Sequence, residues 1–317
     1  MRAGHLWALS ATALGILAAA SLLVGAARIA PGDPMAAMVL GVSRIPRTLA
    51  AILTGAALAV AGVVMQQIVR NRFVEPATAG TPEAAAAGLL AVTLIAPDAP
   101  VWLKMAVAAL AALAGAALFA ALIRRLPPRE VFLVPLAGIV LAGVIGAGVT
   151  LVGWQADLMQ YISIWLMSGE FSGVIAGRYE FLWIAGAAAL LAWFAADRFA
   201  ILALGPDAAT ALGLSPAAVM RLGLVVVALV TAMVVVTVGM LPFVGLIVPN
   251  LVARVMGDNL RASLPVVAMT GAVLVLGSDL LGRIVIHPYE IPAGTILGAA
   301  GAVAFLWLLW RGDRDAN

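Results

Sequence analysis

From Arg44 to Thr81 the chain reads RIPRTLAAILTGAALAVAGVVMQQIVRNRFVEPATAGT. An apolar run of membrane-spanning length is held between two pairs of arginines, Arg44 and Arg47 before it and Arg70 and Arg72 after it. A crossing needs about 20 mostly apolar residues, fewer if it is broken. The alternation of apolar runs with turn and charge clusters gives ten such segments: about 6–27, 46–69, 84–96, 104–123, 131–153, 180–197, 217–237, 241–256, 264–284 and 292–310. Pro/Gly/Asp-rich or charged turns separate them at 28–34, 97–100, 124–130 and 257–259. The pattern predicts an all-α, polytopic membrane protein of about ten helices. The third and eighth segments are short. The eighth carries Pro242, Gly245 and Pro249, which predicts a kinked or partly re-entrant helix buried in protein or lining a cavity. Residues 154–179 hold an apolar stretch too short for a span, read as an interfacial or half-inserted helix.

Composition agrees. Hydrophobic residues make up 64% of the 317 and charged residues 10%, which no soluble domain of this length shows. The whole chain, 1–317, is therefore read as one transmembrane domain. Met1 to about Ala27 has the look of a signal peptide, but its apolar part is long enough to be retained as a first span. With the N-terminus cytoplasmic and ten alternating helices, Arg2, Arg70, Arg72, Arg124, Arg125, Arg129, Arg198, Arg221, Arg254, Arg261, Arg311 and Arg314 fall inside. Only Arg28, Arg44, Arg47, Lys104, Arg178 and Arg283 fall outside, so both termini are expected in the cytoplasm.

Several chemistries are excluded or disfavoured. There is no Cys, hence no disulfide or thiolate site, and His5 and His287 lie far apart, so no metal site is expected. Arginines spread over short loops give no nucleic-acid signal. No phosphate-binding Gly-x-x-x-x-Gly-Lys-Ser/Thr loop exists, and Lys104, the sole lysine, sits in Val-Trp-Leu-Lys-Met. The chain is not expected to be an enzyme or to hold a cofactor. Membrane carboxylates are scarce. Asp279 is the clearest, and Arg283 four residues later predicts an internal ion pair near the outer end. If the chain transports, its energy comes from another polypeptide.

The loop between the sixth and seventh spans is the candidate for receiving that energy. Over 204–216, Pro206 suits a helix first turn and Asp207 its positive end, Gly213 its stop, and Ser215-Pro216 the start of the next helix. On the outer face, Arg44, Arg47 and Arg283 stand at helix ends, where a fork of N–H donors suits carboxylates of a partner. Gly294-x-x-x-Gly298 is read as a general helix-packing face.

Taken in order, Arg-Ile-Pro-Arg-Thr-Leu-Ala at 44–50, the small-residue run at 55–62, Gln66 with Arg70-Asn71, the Pro-Asp-Ala-Ala-Thr-Ala-Leu-Gly loop, Pro-Phe-Val-Gly-Leu-Ile-Val-Pro at 242–249 and Ile-Pro-Ala-Gly-Thr-Ile-Leu-Gly-Ala-Ala-Gly at 291–301 resemble the permeases of type II ABC importers for iron–siderophores, haem and vitamin B12. The resemblance runs from about 40 to 311. It implies the type II permease fold in the bacterial inner membrane, with a second permease subunit of the same or a related chain. It further implies two ATPase subunits, which bind ATP and magnesium, and an outer siderophore-binding protein. In such proteins residues matching Gly205, Pro206, Asp207, Ala208, Ala209, Leu212 and Gly213 dock on the ATPase. Those matching Arg44, Arg47 and Arg283 meet glutamates of the binding protein. Gln66, Arg70, Asn71, Pro249 and Asn250 are pathway or gating candidates. Arg70–Thr81 departs from the commoner Arg-Asn-Pro-Leu-Ala form and is similar to the subgroup for ferric catecholate-type siderophores (petrobactin, anguibactin, vibriobactin). Asn250 replaces a His found in many members. Vitamin B12 or haem remains an alternative cargo, and an ion-driven secondary transporter the alternative class.

Overall fold

The computed structural model describes residues 3–25, 35–76, 80–123, 133–167, 169–257 and 259–312. Arg2, Ala26, Ala27, Arg28 with the rest of 28–34, the 124–130 cluster, Asp258 and Arg314 lie outside them. In chain order come α1 (Ala3–Leu23), α2 (Ala36–Val39), a π-helical turn (Leu40–Arg44) and α3 (Ile45–Val69). Next are α4 (Thr81–Ile95), α5 (Val101–Ile123), α6 (Leu133–Gln155) and α7 (Met159–Met167). α8 (Phe181–Phe194), α9 (Ala196–Ala203) and α10 (Pro206–Ala211) follow. α11 (Pro216–Val238), α12 (Val244–Met256), α13 (Leu260–Val285) and α14 (Ala293–Gly312) complete the chain.

Among the described residues, six helices are long and apolar enough to cross a membrane, with α2 and α3 forming one of them. α8 and α9 together are long and apolar enough for a seventh, with a bend of 63° between them, and α4, α12 and α14 are shorter apolar helices. Each of the ten expected segments thus contains a helix among its described residues. The short stretch in 154–179 contains α7, a helix of nine residues. Two expectations are corrected. The first helix ends at Leu23, because Val24 and Gly25 leave the helix, although the apolar run continues to Ala27. The sixth segment is not one straight helix, since the chain turns at Ala195 between α8 and α9.

α3 is the hub, buried over most of its length and packed by α13, α8, α12 and α11. In a membrane the drive for this packing comes from close van der Waals contact, which small residues permit. Gly55 of α3 and Gly271 of α13 meet reciprocally: a Cβ on Gly55 would lie 2.2 Å from the Gly271 carbonyl oxygen. Seven residues on, a Cβ on Gly62 would lie 2.0 Å from the Gly245 carbonyl oxygen, so α12 begins against the body of α3 rather than at its end. α1 and α6 carry exposed aliphatics instead, such as Leu9, Ile16, Ile139 and Val144, as lipid-facing or partner-facing helices do.

The eighth segment breaks before its helix. Residues 239–243 are non-helical, and Phe243 takes a left-handed φ of 68°, uncommon for a bulky residue. α12 then runs 13 residues with Pro249 inside it. A helix start inside protein must find acceptors for its free N–H groups. Here Glu75, buried in the 70–80 connection, accepts from the Phe243 backbone N–H. The Gly294 backbone N–H donates to the Gly169 carbonyl, and Gly298 faces Pro242. The Gly-x-x-x-Gly face therefore packs on the segment before α12 and on the 169 turn, not on another helix as expected.

Candidate functional site

The two ends of α3 carry the expected site residues. At its start, Arg47 donates to both flanking acids: 2.7 Å from Nη2 to Asp279 Oδ1 and 2.8 Å to Glu290 Oε2. Arg283 pairs with Asp279 one turn away on α13, as its spacing predicted, and also donates to the Val24 carbonyl at 3.0 Å and to Ser21 Oγ at 2.9 Å. Arg44 donates to the Leu22 and Leu23 carbonyls at 2.7 and 3.1 Å. Arg44 and Arg283 thereby satisfy the last carbonyls of α1, which a helix leaves without intrahelical partners, and place positive charge at its negative end. Ser21 and Thr48 close the network by a 2.8 Å hydroxyl contact.

The structure thus brings Arg44, Arg47 and Arg283 together, but turned inward. Arg44 and Arg283 are 7% and 4% exposed and Asp279 2%, whereas the Glu290 side chain is 23% exposed. Sequence reasoning missed Glu290, Ser21 and Thr48. No local signal announced them: Arg47 lies 232 positions from Asp279 and 243 from Glu290.

At the other end, α10 is a six-residue helix with Pro206 in its first turn and Asp207 exposed. Gly213 follows with φ of 80°, donating its N–H to the Thr210 carbonyl, while the Leu214 N–H donates to Ala209 at 2.9 Å. That pair of bonds is the glycine-terminated helix stop expected from the sequence. Ala209 is buried, while Pro206, Asp207, Leu212 and Gly213 face outward. Ser215 stands at the N-cap of α11, but its hydroxyl makes no capping bond.

At the same end, a cavity of about 510 Å³ lies between the end of α3 and helices α9, α12 and α13. Gln66, Arg70, Asn71, Pro249 and Asn250, the pathway or gating candidates, all line it. Gln66 Nε2 donates to the Gly245 carbonyl at 3.3 Å. Asn250 Nδ2 donates to the Leu246 carbonyl at 2.7 Å and to the Arg72 carbonyl at 2.8 Å. These bonds tie the broken helix α12 to α3 and to the connection that follows it. Sequence reasoning also missed Glu75. Its carboxyl is pushed up to about 7 by burial, which outweighs the Phe243 N–H that favours its charged form.

Comparison with known proteins fits this arrangement. Residues 10–311 match the FecCD transport family. The chain is 40% identical over 301 residues to the petrobactin import system permease protein YclN of Bacillus subtilis, covering 93% of this chain and 95% of the relative. It is 39% identical to the ferric-anguibactin permease FatD of Vibrio anguillarum, over 86% of each, and 32% identical to the vitamin B12 permease BtuC of Salmonella newport, over 97% and 96%. Its fold matches a solved metal-chelate-type ABC transporter in an inward-facing conformation, with TM-score 0.84, 25% identity and coverage of 97% of this chain and 99% of that one. With helices packed on α3, a short exposed helix between α9 and α11 and a family match over residues 10–311, the chain belongs to the FecCD transport family.

Proposed function

We propose that this chain is the permease subunit of an ATP-driven importer that moves a ferric siderophore across the bacterial inner membrane. The observation that carries the reading is α10: a closed, exposed helix whose N-cap Gly205 stands beside Arg70, at the cavity that gathers the gating candidates. The siderophore is inferred from the relatives, since the petrobactin and anguibactin permeases stand near 40% identity and the vitamin B12 permease at 32%.

In this reading residues 1–317 form a single permease domain with both termini in the cytoplasm. Two ATPase subunits bind ATP and magnesium, and this chain holds no cofactor. A second permease, the same chain or a paralogue, completes the pathway, and a binding protein delivers the chelate outside. Gly205, Pro206, Asp207, Ala208, Ala209, Leu212 and Gly213 dock on the ATPase. Closure of the ATPase moves α10 and α9, and Gln66, Arg70, Asn71, Pro249 and Asn250 shift with them as a gate. Outside, an acid of the binding protein takes the place of Glu290 on Arg47, the accessible route into a cluster whose geometry Arg44 and Arg283 fix.

The test is reconstitution. The chain, purified from iron-limited cells, is expected to bring with it an ATPase and a chelate-binding protein identifiable by mass spectrometry. The reconstituted complex should take up the chelate only with ATP. Two residues inserted within 206–212 should leave folding and ATP hydrolysis intact and abolish uptake. Transport by the chain alone, stopped by an ionophore and indifferent to ATP, would replace this reading with an ion-driven secondary transporter.

A further inference from the structure

We propose that Glu290 is a latch on α14. It occupies, from within the chain, the arginine fork that a partner's carboxylate has to take, and its displacement frees the connection from α13 to α14. The latch rests on the docking role given above to Arg47 and adds how that site is regulated.

Arg47 is held unequally by its two acids. Asp279 takes the Nε edge of the guanidinium, with Nε–Oδ1 at 3.2 Å and Nη2–Oδ1 at 2.7 Å, and it also pairs with Arg283. Glu290 takes the outer end, with Nη1–Oε1 at 3.2 Å and Nη2–Oε2 at 2.8 Å. Among the described residues the two Glu290 oxygens bond to Arg47 alone. With one partner and the more exposed side chain, Glu290 is the acid that can leave. It does not leave unreplaced. Arg44, Arg47 and Arg283 would then share the Asp279 carboxylate, and uncompensated buried charge is costly. An Asp or Glu side chain on a protein partner, forked onto the same Nη1 and Nη2, restores the balance.

The exchange has a mechanical consequence. The 286–289 stretch is exposed, and one backbone bond, from the Ile291 N–H to the Gly282 carbonyl at 3.0 Å, ties the connection back to α13. α14 begins at Ala293, three residues after Glu290. Its first turn stands in a tight three-way contact. The Gly294 N–H donates to the Gly169 carbonyl at 3.0 Å. A Cβ on Gly169 would lie 2.7 Å from Gly294 Cα and 2.6 Å from the Met240 carbonyl oxygen. Further along, a Cβ on Gly301 would lie 2.6 Å from the Phe243 ring. α14 is thus laid without slack against the break that precedes α12, and α12 carries Pro249 and Asn250. While Glu290 holds Arg47, α13, the connection and the start of α14 move as one unit. Once a partner's acid replaces it, α14 can shift on the break, and docking at one end of the bundle reaches the gating candidates at the other.

The test is hydrogen exchange and docking on the full chain in lipid nanodiscs. Glu290→Gln keeps the shape and removes the charge. Exchange of the Ile291 and Gly294 amides should rise about fivefold, since a two-bond ion pair is lost, and peptides over 240–248 should follow. The Leu214 amide beside α10 should not change. The docking probe is the chelate-binding protein recovered in the reconstitution above. Its apparent Kd should fall about fivefold for Glu290→Gln, because the fraction of chains with Arg47 open rises. Docking to the wild type should itself raise Gly294 exchange, with no further rise in the variant. Asp98→Asn removes the same charge from another exposed acid of the expected outer face and should change neither readout. Glu290→Asp keeps the charge but is one carbon too short for both bonds. It should fall between, and it carries the test if the glutamine variant does not elute as a folded protein.

Weaker docking to Glu290→Gln makes Glu290 a contact of the partner rather than its competitor and overturns the proposal. Equal tightening by Asp98→Asn reduces the effect to overall charge and does the same. A rise in exchange confined to 286–292, with the Gly294 amide unmoved, overturns the latch. Docking to Arg47→Gln as tight as to the wild type is a different failure. It removes the docking role of Arg47, while faster Gly294 exchange in Glu290→Gln would still uphold the hold of Glu290 on α14.

Discussion

The two ends of α3 look alike in sequence, a pair of arginines at each, and the structure uses them in opposite ways. At the start, Arg44, Arg47 and Arg283 are drawn inward onto Asp279, Glu290 and the last carbonyls of α1. At the finish, Arg70 stays exposed on a cavity, its side chain with no hydrogen bond or ion pair among the described residues. The difference lies in carboxylates far away in the chain, not in the arginines. One end is a closed electrostatic joint fastening α1, α3, α13 and the 286–292 connection. The other is left open, beside α10, a short exposed helix between α9 and α11.

The comparison breaks most sharply at Asp279. Removing one partner of a buried pair leaves uncompensated charge and costs about 3–5 kcal/mol. Asp279→Ala leaves Arg283 with carbonyl and hydroxyl partners only and Arg47 with Glu290 alone. Its unfolding midpoint in mild detergent should fall steeply. Arg70→Gln, at the open end, should leave that midpoint nearly unchanged. Equal falls in the two variants would show that both ends are structural joints and remove the distinction.

How far each end was legible follows from the range of the interactions. Local ones were readable. Pro206, Asp207 and Gly213 specify α10 and its stop within eight residues, and the i,i+4 spacing of Asp279 and Arg283 specifies their pair. Interactions set by tertiary approach were not. Arg47 meets Glu290 across 243 positions, and nothing near Arg47 announces it. Pro242 and Gly245 marked a break in the eighth segment, but where α12 starts is fixed by Glu75 and by the contact of Gly62 with Gly245, both from elsewhere in the chain. The bend at Ala195 has neither proline nor glycine to signal it.

A middle-sized effect tests whether the junction between the ends belongs with the closed one. Glu75 has a carboxyl raised above its usual value, to about 7, so the folded protein binds its proton more tightly than the unfolded chain. Stability from this group is complete below the unfolded value near 4.5 and is lost as pH rises through about 7. The slope is at most about 1.36 kcal/mol per pH unit in that window. The unfolding midpoint of the wild type should therefore drop between pH 5 and 8 by more than that of Glu75→Gln, which keeps the shape and stays neutral. Parallel curves for the two would mean that Glu75 holds α12 in its charged form.

The smallest effect sharpens the contrast from the open side. Arg261 at the start of α13 reaches Asp197 on α9 at 2.5 Å, and both side chains are 59% exposed. An exposed pair gains little Coulomb energy in high dielectric and loses side-chain entropy, so its worth is about 0–1 kcal/mol. Arg261→Ala should move the unfolding midpoint barely, and less still in high salt, where screening removes the remainder. The same ion-pair chemistry that locks α3 to α13 at one end thus contributes almost nothing where water reaches it. A loss comparable to that of Asp279→Ala would mean that Arg261 and Asp197 are covered in the assembled protein. The open end would then be open only in the isolated chain, and a partner seated over α9 and α13 would be the reason.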